Sequence, residues 1–502
     1  MYVSKSSSLK TKLKFIISFF QFIIFLKKSN PQKNSKIEEN SNEYLFILFP
    51  WLLTTTPWFG IVIGLMLFRN NSVLYLIDDS VFENHTDHKL QVKLFKSSLN
   101  FLKRKGVKFE ILSKFSSNDP IDQNELREIN KLAFANAIHK NRGEDDSAYF
   151  KELVESNQKK YLANFSTIKA CVSHYSDKNF VFPGGIYANS GLFQYLLKIN
   201  NLSFFTYDAG IGLLLASYKG VAAQLADIPM SFELIKGNKE EMDFAELSAQ
   251  QELEKRKNGT NKLNSQYQSF ADSIHFDEVG ILIPLNSPWD AAALNIGTIF
   301  RSYNDWLFET IGLILENSKY TVTVRQHPDE RHWWGKSSTD FKSLIAEKFG
   351  NNERIQFITC NDKVNTYALL EIAEAVICYS STFGIESVIL NKPVCICSSV
   401  YYSKLEFGYI PKTKDDIVFF LDNIHTKIIS YDIHKASIAY YLGQQCNWSF
   451  TNFTPTIPDF NKWRKSNIDS LLKEPTIQNY IQSLQEIVPI SYINHKKRYY
   501  GN

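Results

Sequence analysis

The sequence predicts an α/β protein built on two doubly wound parallel sheets. Two stretches of the chain alternate short β-favouring runs with helix-length segments, the pattern of strand–helix–strand units. Between them, from Gly237 to Ser269, the composition turns polar. The length of 502 residues exceeds what one hydrophobic core supports and suits two α/β domains with extensions.

The first stretch opens with Tyr44 to Pro50 as a strand, Pro57 to Leu67 as a helix, and Ser72 to Ile77 as a second strand closed by Asp78 and Asp79. Further strands are expected at Val107 to Leu112, Asn179 to Phe182 and Ser203 to Tyr207, each trailed by a helix. The second stretch places strands at Gly280 to Leu285, Tyr320 to Val324, Ile355 to Ile358, Ala375 to Tyr379 and Val394 to Cys397. The tail from Ile429 is rich in aromatics and ends in a helical pattern at Thr476 to Ile487. The resulting plan is a membrane-associating helix and flexible tether over 1–43, a first domain over 44–236 and a polar linker over 237–275. A second domain over 276–425 and a helical tail over 426–502 complete it. The linker begins with helical spacing and becomes Asn- and Ser-rich from Lys257 to Gln268. No internal repeat is present.

Charge is nearly balanced, with 56 basic and 52 acidic residues dispersed along the chain, which gives no case for nucleic-acid binding. Six cysteines lie mostly in apolar, strand-like runs without a C-x-x-C pair, as expected of reduced core thiols in the cytoplasm. Phe15 to Leu26 is a twelve-residue apolar run flanked by Lys12, Lys14, Lys27 and Lys28. A bilayer span takes about twenty residues, and no small-residue cleavage site follows. The expectation is a helix lying in the membrane interface with its lysines toward anionic headgroups. A buried accessory helix and a targeting segment are the alternatives.

Chemistry concentrates between Val324 and Val394. Arg325-Gln-His327-Pro328 follows the strand Tyr320 to Val324, and Ser380-Ser381-Thr382-Phe-Gly384-Ile-Glu386 follows the strand Ala375 to Tyr379. Ligands of open α/β sheets collect at such carboxyl ends. A hydroxyl-rich turn opening a helix suits phosphate, because the first backbone N–H groups of a helix lack partners. Asn391-Lys-Pro393-Val394 then opens the next strand.

These motifs, with Leu285-Asn286-Ser-Pro-Trp289-Asp290 upstream and Ser403 to Gly408 downstream, resemble the capsule polysaccharide biosynthesis proteins over roughly 280 to 410. Those proteins are GT-B glycosyltransferases. The resemblance implies a GT-B fold, two Rossmann-like domains facing a cleft with a C-terminal helix crossing back to the first. It implies a nucleotide-sugar donor, favouring CMP-activated Kdo or sialic acid, a glycan or lipid-linked glycan acceptor, and no metal or other cofactor. His327 would assist the departing phosphate beside Arg325, Ser380, Ser381 and Thr382 would hold it, and Glu386 would bind the ribose. Asn286 and Asp290 would touch the donor. In the first domain, Tyr207-Asp208-Ala209-Gly210 resembles an acidic-Gly motif whose carboxylate deprotonates the acceptor, which makes Asp208 the candidate base.

Gly184 and Gly185, after the strand Asn179 to Phe182, form a second loop suited to close backbone approach. Asn391 stands where the family usually has Gly. Trp333 and Trp334 either stack on a sugar or pack on the domain. No His/Cys/Asp/Glu cluster has metal-ligand spacing, and neither a phosphate-loop nor a nucleophile-elbow motif occurs. The expected place of work is the cytoplasmic face of a bacterial membrane. Polyol-phosphate transfer and a non-catalytic assembly or export factor are the rival functions.

Overall fold

The computed structural model describes residues 9–29, 42–50, 56–80, 86–117, 119–210, 212–260, 278–290, 294, 297, 299–333, 335–426, 431–451 and 461–501. Trp334, most of the tether over 27–43 and the second part of the linker lie outside them. In chain order the first half runs α1 (Leu9–Lys28), β1 (Glu43–Leu48), α2 (Thr56–Leu67), β2 (Ser72–Ile77), α3 (Thr86–Lys103) and β3 (Lys108–Ile111). It continues with α4 (Gln123–Asn141), α5 (Ala148–His174), β4 (Asn179–Pro183), α6 (Asn189–Ile199), β5 (Phe204–Gly210) and β6 (Leu213–Tyr218). Next come α7 (Ile228–Ile235), α8 (Lys239–Lys257), β7 (Val279–Pro284), α9 (Tyr303–Asn317), β8 (Val322–Arg325), α10 (Phe341–Phe349) and β9 (Ile355–Ile358). They are followed by α11 (Thr366–Ile372), β10 (Ala373–Cys378), α12 (Thr382–Ile389), β11 (Val394–Ile396), α13 (Lys414–Asp422) and α14 (Ile433–Tyr441). The chain closes with β12 (Ser449–Phe450), α15 (Asn461–Arg464), α16 (Ile468–Leu471), α17 (Pro475–Glu486) and α18 (Ile490–Tyr500).

These elements form two compact units. The amino-terminal unit comprises Tyr2–Asn136, Glu152–Asp227 and Gln445–Asn502; the other, called here the second unit, comprises Ala137–Lys151 and Ile228–Gln444. The partition departs from the plan read along the sequence. α8, inside the stretch read as linker, belongs to the second unit and packs on α14; the tail from Gln445 belongs to the amino-terminal unit, in keeping with the expected return of a C-terminal helix to the first domain. Three apolar residues of α8, Ala245, Ala249 and Leu253, fall at four-residue spacing and are buried on one side, so a polar composition concealed the helix's packing.

The amino-terminal unit holds a seven-stranded sheet in the order β12-β6-β5-β4-β1-β2-β3. β1 pairs in parallel with β2 on one side and β4 on the other, so the winding reverses at β1. One expectation fails here. No helix follows β5; it turns back antiparallel into β6, with Asp208 opposite Leu215 and Gly210 opposite Leu213. Gly210, the last residue of the acidic-Gly motif, lies in this hairpin at the end of β5.

α1 turns one side of the apolar amino terminus into the core. Phe15, Phe19, Phe22, Phe25 and Leu26 are buried in the unit's core, and the Phe22 ring lies 5.1 Å from that of Trp58 and 5.3 Å from that of Trp463. Three- and four-residue spacing puts these rings on one side of the helix, where a wall of aromatic side chains takes them up in place of lipid.

The second unit has a five-stranded parallel sheet in the order β11-β10-β7-β8-β9. β7 comes first in the chain and lies in the middle, with β8 and β9 to one side and β10 and β11 to the other. The fold is therefore α/β and GT-B-like in its two Rossmann-like sheets. All six cysteines are buried thiols. No described helix is long and apolar enough to cross a membrane.

Candidate functional site

The reversal of winding in the second unit falls between β7 and β10, and a doubly wound sheet opens a crevice at its carboxyl edge at such a point. Asn286, after β7, and Ser380, after β10, meet there. Asn286 Oδ1 accepts hydrogen bonds from the Ser380 amide at 3.3 Å and the Ser380 hydroxyl at 3.2 Å. The Tyr303 hydroxyl fixes the Asn286 backbone, accepting from its N–H at 2.8 Å. With Oδ1 engaged, the two N–H groups of Asn286 Nδ2 make no hydrogen bond among the described residues.

His327 follows β8, the other neighbour of β7. Its Nδ1 accepts from the Asp329 amide at 3.2 Å and so caps the 3₁₀ turn Pro328–Arg331. Burial, aided by the nearby Arg325 guanidinium, lowers its pKa to about 4. The imidazole is therefore neutral at neutral pH, and the tautomer that accepts at Nδ1 carries its proton on Nε2. His327 is poised to donate a hydrogen bond rather than to act as a cation.

Ser381 is the N-cap of α12, its hydroxyl oxygen accepting from the Phe383 amide at 3.2 Å. Thr382 begins the helix and is half-buried. The close approach of this turn to the sheet depends on Gly384. A Cβ there would lie 2.5 Å from Cys378 Sγ and 2.9 Å from the Tyr402 hydroxyl, which itself donates to the Ser381 carbonyl at 2.6 Å. Asp290 is exposed, one turn beyond Asn286.

Two carboxyl groups beside His327 carry less negative charge than their number suggests. Burial raises Asp329 to about 6 and Glu330 to about 7. Asp329 Oδ1 and Glu330 Oε1 are buried and accept no hydrogen bond among the described residues. Partial protonation weakens their opposition to an anionic ligand at this edge.

Two expected donor residues are engaged elsewhere. Arg325 is buried in β8, and its guanidinium donates to the backbone carbonyls of Thr359 and Val364, bracing the loop after β9. Glu386 is also buried. It accepts from Arg256 Nη1 of α8 at 2.7 Å on one oxygen and from the Tyr367 hydroxyl at 2.9 Å on the other. Both oxygens of Glu386, the residue expected to bind the ribose, are thus engaged by protein partners. Arg256 and Tyr367 escaped the sequence reading because nothing local marks them as partners of a carboxylate so far along the chain.

Trp289 is held within the second unit, with the Arg142 guanidinium 4.0 Å from its ring centre and its indole donating to the Gly335 carbonyl at 3.2 Å. Trp333 is exposed. Asn391, where the family usually has Gly, adopts a left-handed φ of 60°. No group of three or more metal-ligating side chains gathers among the described residues.

The carboxyl edge of the amino-terminal sheet holds the remaining candidates. Gly184 and Gly185 both have positive φ, 81° and 115°, and the Gly184 amide donates to the Tyr207 carbonyl at 3.0 Å. Asp208 therefore flanks this loop from within β5. Asp78, after β2, is buried and bonded to Ser80 and Asn189, and burial raises it to about 6. Asp79 is occupied by the Ser113 amide and hydroxyl.

The segment that assembles Asn286, His327 and Ser380 has identifiable relatives. Residues 280–405 match the capsule polysaccharide biosynthesis protein family. This capsule-biosynthesis region runs from β7 to the turn after β11. Among solved structures, the chain is similar to the β-Kdo 2,7-transferase of Thermosulfurimonas dismutans KpsC, at 15% identity and TM-score 0.32 over 55% of this chain and 79% of that one. It is similar to the β-Kdo 2,4-transferase of the same KpsC at 13% identity and TM-score 0.34, over 52% and 78% of the two chains. A UDP-GlcNAc 2-epimerase from Neisseria meningitidis matches at 10% identity and TM-score 0.25, over 79% of this chain and 97% of the epimerase. No curated protein matches.

Proposed function

We propose that the chain is a glycosyltransferase that moves a sugar from a nucleotide donor to a growing capsule or other surface polysaccharide, working peripherally at the inner face of a bacterial membrane. The observation that carries this reading is the constellation at the β7–β10 reversal inside the capsule-biosynthesis region. There the Asn286 amide, the His327 Nε2–H and the hydroxyls of Ser381 and Thr382 offer neutral donors at the carboxyl ends of three adjacent strands.

Such donors stabilise the charge that grows on a departing nucleotide phosphate. Asp208 takes the acceptor proton, since it is a carboxylate at the corresponding edge of the amino-terminal sheet. The favoured donors are CMP-activated acidic sugars such as Kdo or sialic acid. Arg325 and Glu386 have no direct part in this reading, because both support the fold.

A thermal-shift panel of CMP, CDP, UDP and GDP tests it. The expected result is stabilisation by one nucleotide, about 2.7 kcal/mol at a hundredfold excess over Kd, reduced in Ser381→Ala and Asn286→Ala. A shift with CDP in place of CMP favours polyol-phosphate transfer. No shift with any of the four removes the nucleotide site.

A further inference from the structure

We propose that the outward side of α1, with the basic row of α3 beside it, docks on an anionic lipid bilayer. The setting is the membrane-associated one of the preceding section, but the surface is a separate claim and its test needs no turnover. α1 is apolar on two sides. The core takes Phe15, Phe19, Phe22 and Phe25, while Leu9, Leu13, Ile17, Phe20 and Ile24 recur at three- and four-residue spacing on the other side and stay exposed. Phe20 is 62% and Ile17 55% exposed, too much apolar surface on one helix to be scattered single residues.

Among the described residues of α1 and α3, the exposed charged side chains are all basic. α1 contains five lysines and no acidic residue. From Thr86 to Lys105 there are six basic residues and one acidic one, Asp87, which is buried and paired with Lys12 at 3.1 Å. A chain with 56 basic and 52 acidic residues is otherwise balanced. Along the sequence the basic residues look dispersed, and packing gathers these.

The two helices run side by side in one direction. Lys12 meets Asp87 near both starts, and Lys105 donates to the Ser29 carbonyl at 3.0 Å past both ends. Lys89, Lys93 and Lys96 follow one side of α3 at four- and three-residue spacing, exposed or half-exposed, and Lys103 and Arg104 continue the row. An apolar ridge flanked by cations fits a surface with a hydrocarbon boundary beneath negative headgroups. Burying one side of α1 in the core leaves the other to enter the interface lengthwise.

Vesicle flotation of the full chain tests the surface. Vesicles of phosphatidylcholine with about 30% phosphatidylglycerol should bind the protein, pure phosphatidylcholine should bind it weakly, and added salt should release it. Lys89→Gln/Lys93→Gln/Lys96→Gln is expected to lower partitioning about 100-fold, at about fivefold per lysine. Ile17→Ser/Phe20→Ser should lower it about 10-fold or more. All five side chains lie outside the core, so melting temperatures should stay near wild type, and any nucleotide-induced shift should be unchanged in both variants. The proposal is overturned if the wild type does not float at low salt, or if both variants partition like it. It is equally overturned if the wild type is a dimer that Ile17→Ser/Phe20→Ser dissociates, since a second copy would then cover the stripe.

Discussion

Asn286 and Ser380 are 94 residues apart in the chain and share hydrogen bonds at the reversal of the sheet. His327 stands at the end of the next strand with one nitrogen in the fold and the other available as a donor. The two nitrogens can be separated by mutation. His327→Asn keeps an acceptor near the Nδ1 position and loses the reach of Nε2, so the melting temperature should hold while sugar transfer falls about 100-fold. A collapse of stability with proportionate loss of turnover would make the cap its whole role.

The same residue has a pH signature. Its folded pKa of about 4 lies below the usual value of about 6.5, so as pH falls the unfolded chain takes up the proton first. The stability tied to neutral His327 is complete above about pH 6.5 and is lost between there and about pH 4. Asp329 and Glu330 act oppositely, since their raised pKa values favour the fold at low pH and that contribution fades as pH rises through about 6 to 7. Comparing melts of wild type and His327→Asn at pH 7 and pH 4.5 isolates the histidine. The variant should lose about 1–2 kcal/mol less than wild type on acidification.

That Asn286, His327, Ser380 and Ser381 stand at strand ends was legible, because each follows a β-favouring run. The engagement of Arg325 and Glu386 was not. Local sequence does not reveal whether a charged side chain turns outward or into its own domain, and the partner of Glu386 lies 130 residues upstream.

At the scale of the element, α1 and α12 show how much one helix demands of single positions. Phe22 and Phe20 are two residues apart on opposite sides of α1, so Phe22→Ala should cost about 3–5 kcal/mol, while Phe20→Ala should stay within about 0.5 kcal/mol. Chemical denaturation of the two variants checks this, and equal losses would mean that α1 is packed otherwise. The apolar run was visible in the sequence, but its division into a core side and an outer side was not, because both sides carry the same residue types. In α12, Gly384→Ala forces a methyl group against Cys378 and Tyr402, and should destabilise by about 1–3 kcal/mol and weaken nucleotide binding. α8 offers a third case. Arg256→Met leaves Glu386 buried without its cation and should cost about 3–5 kcal/mol, and Arg256→Met/Glu386→Leu should recover much of that. Nucleotide affinity preserved in the double variant would confirm that Glu386 ties α8 to α12 and does not touch the donor.

For the whole molecule, the alternation of strands and helices was readable twice, and ten of the twelve described strands form the parallel cores of two doubly wound sheets. What alternation did not convey was closure. β6 reverses the pattern with a hairpin, β12 is two residues long, and the segments completing the amino-terminal core come from the far end of the chain. Short antiparallel additions at a sheet edge have too few residues to show a period.

The return of Gln445–Asn502 to the amino-terminal unit bears on how the protein is made. Trp463, Ile468, Leu471, Ile477, Tyr480 and Leu484 sit in one core with the strands of the first hundred residues, and Tyr44 donates to the Leu484 carbonyl at 2.8 Å. As the chain leaves the ribosome at about 5–20 residues per second, the unit begun first waits for the last residues, while the unit begun later already has all its parts. Synthesis and completion therefore run in opposite orders. A chain ending at Gln444 should keep a folded second unit yet expose the apolar core of the first, which limited proteolysis and capture by a chaperone would report. The interval between the two completions is when the nascent protein most needs shelter.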